Sequence, residues 1–181
     1  MLFVCSDIHG DFNALQLTLA AFNRSGASHF ICLGDVLNHG PRNPVPKHYA
    51  PLKVAEALNT IAERIIAVRG NCDSEVDQAL CKFPIMAEYN QLLLDSRKVF
   101  LCHGHTFGPS HLPPLAAGDI LVSGHSHIPQ ANLEGQHYLL NPGSVAIPRQ
   151  DWPASYALIT EQQLQVLKLD DHSPLVSCTL D

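Results

Sequence analysis

FVCSDIHGD, residues 3–11, opens on an apolar run that stops at Asp7, with His9 two positions further on. Four more runs stop in the same way: FICLG at Asp35, IIAVRG at Asn71, VFLC at His103 and ILVSG at His125. Continuous runs rich in β-branched and aromatic residues, separated by helix-like segments, read as strands of a sheet covered on both faces. Ligands of such sheets gather beyond the carboxyl ends of the strands, so the five end residues are expected in one crevice. His9 and His127, the second histidine of GHSH, join them. The crevice then holds two carboxylates, one amide and four imidazoles, enough for two metal ions.

Composition narrows the setting. At 181 residues and 46% hydrophobic content, one domain spanning residues 1–181 with one core is expected. Net charge is -6, from 17 acidic and 11 basic residues, with no block of Lys or Arg. Gripping long nucleic acid through its backbone calls for a basic stripe, so no extended nucleic-acid surface is expected. A small anionic substrate is compatible, because bound cations supply positive charge locally. The six cysteines include no CxxC pair and read as reduced thiols, those in the strand runs serving as small core residues. The few residues before Asp7 are too short for a cleavable signal peptide, and no apolar stretch reaches membrane-spanning length. A cytoplasmic location without membrane contact is therefore expected, and a homo-oligomer is compatible with everything in the sequence.

Periodicity predicts strands at Leu2–Ser6, Phe30–Leu33 and Ile65–Val68, with an amphipathic helix over Asn13–Arg24. Pro41, Pro44 and Pro46 exclude regular structure after Asn38 until Pro51 opens a second helix to about Glu63. This stiff loop beside Asp35 is a candidate substrate wall. A short helix is predicted over Ser74–Cys81. Hairpins follow, with turns at Asp95–Arg97 and Glu134-Gly135 and later strands near Ser155–Thr160, Leu164–Leu169 and Val176–Leu180.

Asp7 and His9 bracket one position at a strand end, so their side chains are expected to leave the backbone on the same side. Gly34 before Asp35 and Gly70 before Asn71 allow sharp turns that present the polar side chain. His103 begins an HGH that leaves His105 close by. Mixed Asp, Asn and His donors suit Mn, Fe or Zn, whereas thiolates would suggest structural Zn. The NPGS turn at Asn141–Ser144 is expected to brace the crevice from below.

Taken in order, Asp7-Ile8-His9, Gly34-Asp35, Gly70-Asn71, His103-Gly104-His105 and Gly124-His125-Ser126-His127 resemble the signature of the calcineurin-like metallophosphoesterase superfamily. GDVLNHGPRN, AVRGNCDSEVDQ and NPGSVAIP are further similar to the small bacterial YfcE-type phosphodiesterases, over nearly the whole chain. The resemblance implies an α/β fold, a four-layer α/β/β/α sandwich of two mixed sheets flanked by helices. It implies hydrolysis of a small phosphodiester at a dinuclear centre, most often filled by Mn, with Zn or Fe as other candidates. Carried over residue by residue, Asp7, His9, Asp35 and His127 hold the first ion. Asp35, Asn71, His103 and His125 hold the second, with Asp35 bridging. A hydroxide between the two cations then attacks phosphorus in line.

Further roles follow from the same resemblance. His39 stands where many relatives place a phosphate-binding Arg, with Arg42 as the alternative clamp, and the Asn71 amide can donate to a phosphate oxygen. Relatives commonly read Gly-Asn-His and then an acid, whereas this chain reads Gly70-Asn71-Cys72-Asp73. The imidazole that protonates the leaving group is therefore replaced by Cys72, beside Asp73 as an orienting carboxylate. Three readings of Cys72 stand open: a packed thiol, an extra metal contact, or a weak acid. His39 and His105 are the other candidate acids. Two further functions stay in view, a phosphomonoesterase using the same ions and a non-catalytic interaction module on the same fold.

Overall fold

The computed structural model describes all 181 residues, Met1–Asp181. The first half of the chain runs β1 (Leu2–Cys5), α1 (Phe12–Ser25), β2 (His29–Cys32), α2 (Pro51–Asn59), β3 (Ile65–Ala67) and α3 (Glu75–Leu80). Strands alone follow: β4 (Tyr89–Leu94), β5 (Arg97–Cys102), β6 (Ile120–Val122), β7 (Pro129–Glu134), β8 (His137–Pro142), β9 (Ser155–Ile159), β10 (Gln163–Lys168) and β11 (Pro174–Thr179). Each helix has a local cause. Asp11 caps α1 by accepting from the Ala14 amide at 2.9 Å, and Gly26 ends it in a left-handed turn. Pro51 starts α2, which stops at Asn59, earlier than expected; the Thr60 hydroxyl bonds the Ala57 carbonyl at 2.6 Å and the chain tightens into a 3-10 turn. Ser74 and Asp77 form a reciprocal capping box on α3.

The strands form two mixed sheets, ordered β11-β10-β9-β1-β2-β3 and β4-β5-β6-β8-β7. β1, β2 and β3 are parallel to one another, as are β5, β6 and β8, while β9 to β11 and the edge strands β4 and β7 run antiparallel to their neighbours. The outer face of the first sheet stacks Phe3 on Phe30 and Tyr156, with ring centroids 5.4 and 4.7 Å apart, beneath Leu15 and Phe22 of α1 and Leu58 of α2. Its other face, Val4, Ile31, Ala157 and Val166, packs on Val99, Leu101, Val122 and Leu140 of the second sheet. Burial on both faces explains why the β1 run is continuously apolar instead of alternating.

The two mixed sheets and the helical flank agree with the expected sandwich. The fourth layer is built differently. Phe100, Cys102, Leu121 and Leu139 on the outer face of the second sheet are covered by Phe107 and Leu115 from the segment between β5 and β6, which forms no helix. Pro109, Pro113 and Pro114 interrupt that segment and remove the amide donors a helix needs. No helix is long and apolar enough to cross a membrane. The carboxyl ends of β1, β2, β3, β5 and β6 open at one end of the sandwich, where the candidate donors follow.

Candidate metal centre

All seven candidate donors lie just past strand ends, and their convergence owes little to the strand pleat. β1 ends at Cys5, and beyond it Asp7 and His9 adopt φ of 58° and 47°. Asp35, His125 and His127 do the same at 53°, 64° and 61°. Residues with a Cβ avoid this left-handed region, at roughly 1–3 kcal/mol each, and such outliers persist only where surrounding contacts impose them. The expectation that Asp7 and His9 point together as strand neighbours is thus replaced by a pair of left-handed turns.

The imposing contacts are visible. The His9 amide donates to the Asp35 carbonyl at 2.8 Å, and the Ser144 hydroxyl to the Asp7 carbonyl at 2.9 Å. The Ser6 hydroxyl donates to Asp7 Oδ2 at 2.6 Å, and the His125 amide reaches the same oxygen at 3.1 Å. Asn141 donates through Nδ2 to the Gly124 carbonyl at 2.8 Å, so NPGS braces the crevice as expected. A Cβ on Gly70 would lie 2.1 Å from Asp35 Oδ1, so only glycine admits the approach of these two loops.

Three imidazoles are oriented by backbone carbonyls. Nδ1 of His9 bonds the Asn38 carbonyl at 3.0 Å, Nδ1 of His103 bonds that of Leu33 at 2.7 Å, and Nδ1 of His127 bonds that of Ile147. A carbonyl accepts only, so each Nδ1 carries the proton and each Nε2 presents a lone pair. Those lone pairs face other acceptors. His127 Nε2 lies 3.1 Å from Asp7 Oδ1, His9 Nε2 lies 3.5 Å from the same oxygen, and His103 Nε2 lies 3.0 Å from Asn71 Oδ1. Asp35 Oδ2 stands between the two groups, 3.7 Å from His9 Nε2 and 3.5 Å from His103 Nε2. His125 approaches with Nδ1, 3.2 Å from His103 Nε2.

Asp7 Oδ1 and His9 Nε2 are buried without any hydrogen-bond partner. Acceptors facing acceptors in a buried site need a cation or extra protons between them. The fit to a metal is therefore good. Donor atoms within 4.8 Å of one another occur in Asp7-His9-His127, in Asp7-Asp35-His103 and in His9-Asp35-Cys72. Where no cation lies between them, shared protons take its place. Burial works to raise the Asp7 carboxyl, but the His127 and His9 imidazoles outweigh it and hold it far below the carboxylate range. Burial works to lower His9, but Asp7 and the Asn38 carbonyl raise it. Burial and the nearby His103 lower His125.

The residues expected around the donors divide. Arg42, Asn71 and Cys72 line a cavity of about 550 Å³ together with Asp35, His125 and His127. Burial, and then the Asp35 carboxylate, push the Cys72 thiol up to about 12, and the thiol lies against Gly40. Asp73 corrects the expectation of a catalytic or orienting carboxylate. It is 2% exposed and accepts from the amides of Gly70, Asp35 and Val36 at 2.7–2.9 Å, so it ties the Asn71 loop to the Asp35 loop. Burial pushes its carboxyl up to about 6. His39 also departs from expectation: its ring packs edge-on against Tyr49 at 5.2 Å and is absent from the cavity wall. His105 is exposed beside His103, at 5.3 Å between rings, and burial with His103 lowers its pKa.

Sequence reasoning missed Arg149 and Asn43, which also line the cavity. Arg149 Nη2 donates to Asn43 Oδ1 at 3.2 Å across more than a hundred residues of chain. No local motif marks such a pair. It missed Ser6 and Ser144 as well, although Ser144 sits inside the NPGS turn already singled out.

Known proteins complete the picture. The calcineurin-like phosphoesterase superfamily domain matches residues 1–164. The phosphodiesterase YfcE of Escherichia coli (strain K12) is 51% identical over 180 residues, covering 99% of this chain and 98% of YfcE. A solved structure of the E. coli phosphoesterase Yfce superposes with a TM-score of 0.97 at 50% identity, covering 99% of both chains. Vps29 from Entamoeba histolytica, solved in complex with Zn2+, shares the fold at a TM-score of 0.61 and 20% identity, again over 99% of both chains. With the fold and the family pattern in agreement, the chain belongs to the calcineurin-like phosphoesterase superfamily and is a hydrolase of phosphoric esters.

Proposed function

We propose that this chain hydrolyses a small phosphodiester with the help of two divalent metal ions. The observation that carries the reading is the buried, inward-facing set of donor atoms centred on Asp7 Oδ1 and His9 Nε2, neither of which has a hydrogen-bond partner. Asp7, His9, Asp35 and His127 would hold one ion, and Asp35, Asn71, His103 and His125 the other. The intermediate position of Asp35 Oδ2 supports a shared role. Mn is the leading ion, and Zn or Fe suit the same donors. When bound, the ions polarise the phosphoryl oxygens and make water nucleophilic near neutral pH.

The chain's own residues supply orientation. The carbonyls of Asn38, Leu33 and Ile147 lock three imidazoles in the ligating tautomer, a support that typically matters 10–100-fold. Asn71 is neutral, so it adds no negative charge against an anionic substrate, and its amide can donate to a phosphate oxygen. Burial and the Asp35 carboxylate raise the Cys72 thiol while neighbouring cations would favour its thiolate, and neither form is a good proton donor near neutral pH, so departure of the leaving group rests largely on its own stability. The name of the 51%-identical E. coli relative favours a diester over a monoester. The cavity holds far more than a phosphate, as a substrate with two arms requires. Six free cysteines support work in the reducing cytoplasm, and we treat residues 1–181 as one functional unit.

The test is turnover of bis-p-nitrophenyl phosphate beside p-nitrophenyl phosphate with Mn, Zn or Fe, together with elemental analysis. Two ions per chain and preference for the diester are expected. Faster monoester cleavage would reassign the substrate, and two bound ions without any turnover would point to an interaction module.

A further inference from the structure

Two guanidinium groups face the cavity without acidic partners. Arg42 and Arg149 both line it, and neither has a carboxylate within 4.0 Å, since the lysine and histidine ion pairs account for all such contacts. No arginine of this chain is ion-paired, so what sets these two exposed side chains apart is their place: in a chain with 11 basic against 17 acidic residues, both border the cavity that also holds candidate metal donors, and such a wall suits an anion. The planar fork of Arg suits phosphate and carboxylate in particular. Arg149 is also positioned, because its Nη2 is held by Asn43 Oδ1 at 3.2 Å, which joins the loop before α2 to the loop before β9.

The scissile phosphate does not use up this charge. Under the reading above, two divalent ions already meet it. The rest of the wall is polar, with one hydrophobic residue among 11. A second cavity of about 360 Å³ shares His125 with the first and is bordered by Pro109, Ile128 and Pro129. His125 lines both cavities, so a diester centred on the donors has one compartment for each arm.

We propose that the preferred substrate is a phosphodiester bearing a second anionic group, a phosphate or carboxylate, on one arm, and that Arg149 with Arg42 binds that group. The proposal rests on the diesterase reading. Two p-nitrophenyl esters of thymidine 5′-phosphate test it, one with a free 3′-hydroxyl and one with a 3′-phosphate, because the leaving group is then constant. The 3′-phosphorylated ester should show kcat/KM higher by about tenfold at low ionic strength, and the advantage should shrink as salt is added. Arg149→Ala with Arg42→Ala should remove most of the advantage, Arg149→Lys should keep part of it, and Arg149→Glu should reverse it. Equal rates on the two esters, or an advantage that survives the double substitution, overturns the proposal.

Binding separates this proposal from the reading beneath it. Calorimetry on Mn-loaded protein should find thymidine 3′,5′-bisphosphate bound about tenfold tighter than thymidine 5′-monophosphate, with the difference lost in the double variant. That result in a protein that cleaves no diester keeps the anion subsite and sinks the diesterase. Diester turnover with equal binding of the two nucleotides does the opposite.

Discussion

The two H-x-H sequences of this chain have the same spacing and different geometry. In His125-Ser126-His127 both histidines occupy left-handed backbone, and both imidazoles enter the cluster of donors. In His103-Gly104-His105 the glycine takes the positive φ, at 119°, so the chain turns at the middle residue. His103 is buried against the Leu33 carbonyl, and His105 swings out to solvent with no hydrogen-bond partner. Spacing brings a second histidine near the site; the φ of each residue decides whether it enters.

Substitution of the donors themselves should have the largest effect. Asp35→Asn should lower metal content and turnover of bis-p-nitrophenyl phosphate together. His127→Ala should cost more than the roughly 100-fold that loss of a supporting contact brings. His105→Ala should cost far less, and a loss of about 100-fold or more there would make His105 the general acid after all. Kinetics with elemental analysis on the three purified variants decides between these outcomes.

Chelation comes next. With ions at 100 times their Kd, one site contributes about 2.7 kcal/mol. Two such sites contribute about 5.4 kcal/mol, and at about 2–4 °C per kcal/mol for a chain of this size, removing both ions should lower the Tm by about 11–22 °C, which Mn or Zn should restore. An unchanged melting curve after confirmed metal removal would leave the facing acceptors unexplained.

Gly104→Ala attacks the turn directly. A Cβ there would lie 3.0 Å from the Gly124 carbonyl oxygen and 3.1 Å from the His125 side chain, in backbone that disfavours any Cβ. The expected cost is about 1–3 kcal/mol, read as a fall in Tm, with a weakened second ion because His103 and His125 are both displaced. A neutral result would mean that the loop relaxes freely and that the HGH geometry is not imposed.

The smallest effect is expected from Cys72→His. Position 72 lines the cavity, and the present thiol packs against Gly40, so a larger imidazole there is expected to reach into the cavity. Alkyl diesters should then gain more than aryl diesters, by less than the 100-fold a well-placed acid supplies. Equal change across a series of leaving groups would show that protonation does not limit the rate.

Asp73 shows why neighbouring positions of one motif are read so unequally. Asn71, two residues before it, ends a strand-like apolar run and lines the cavity, as its place in the sequence suggests. Asp73 was legible only as an acid near the chemistry. Its carboxylate is spent on three backbone amides belonging to two loops, and a backbone amide leaves no trace in a sequence. The same blindness applies to Arg149, whose partner Asn43 comes from a loop more than a hundred residues earlier. His39 failed for a related reason, because packing against Tyr49 competes with facing the substrate and wins.

What the sequence determined alone is the α/β order, the strands buried on both faces and the seven donor types at their ends. Hydrophobic continuity and donor chemistry are properties of the residues themselves, so they can be read without coordinates. Tertiary structure decided which way each donor points, because five of the seven sit in left-handed turns that no intrinsic preference selects and that contacts such as the Ser144 hydroxyl on the Asp7 carbonyl and the His9 amide on the Asp35 carbonyl impose. It also decided that Phe107 and Leu115 of the proline-broken segment cover the outer face of the second sheet, because which side chains pack there depends on contacts between segments and not on any one of them.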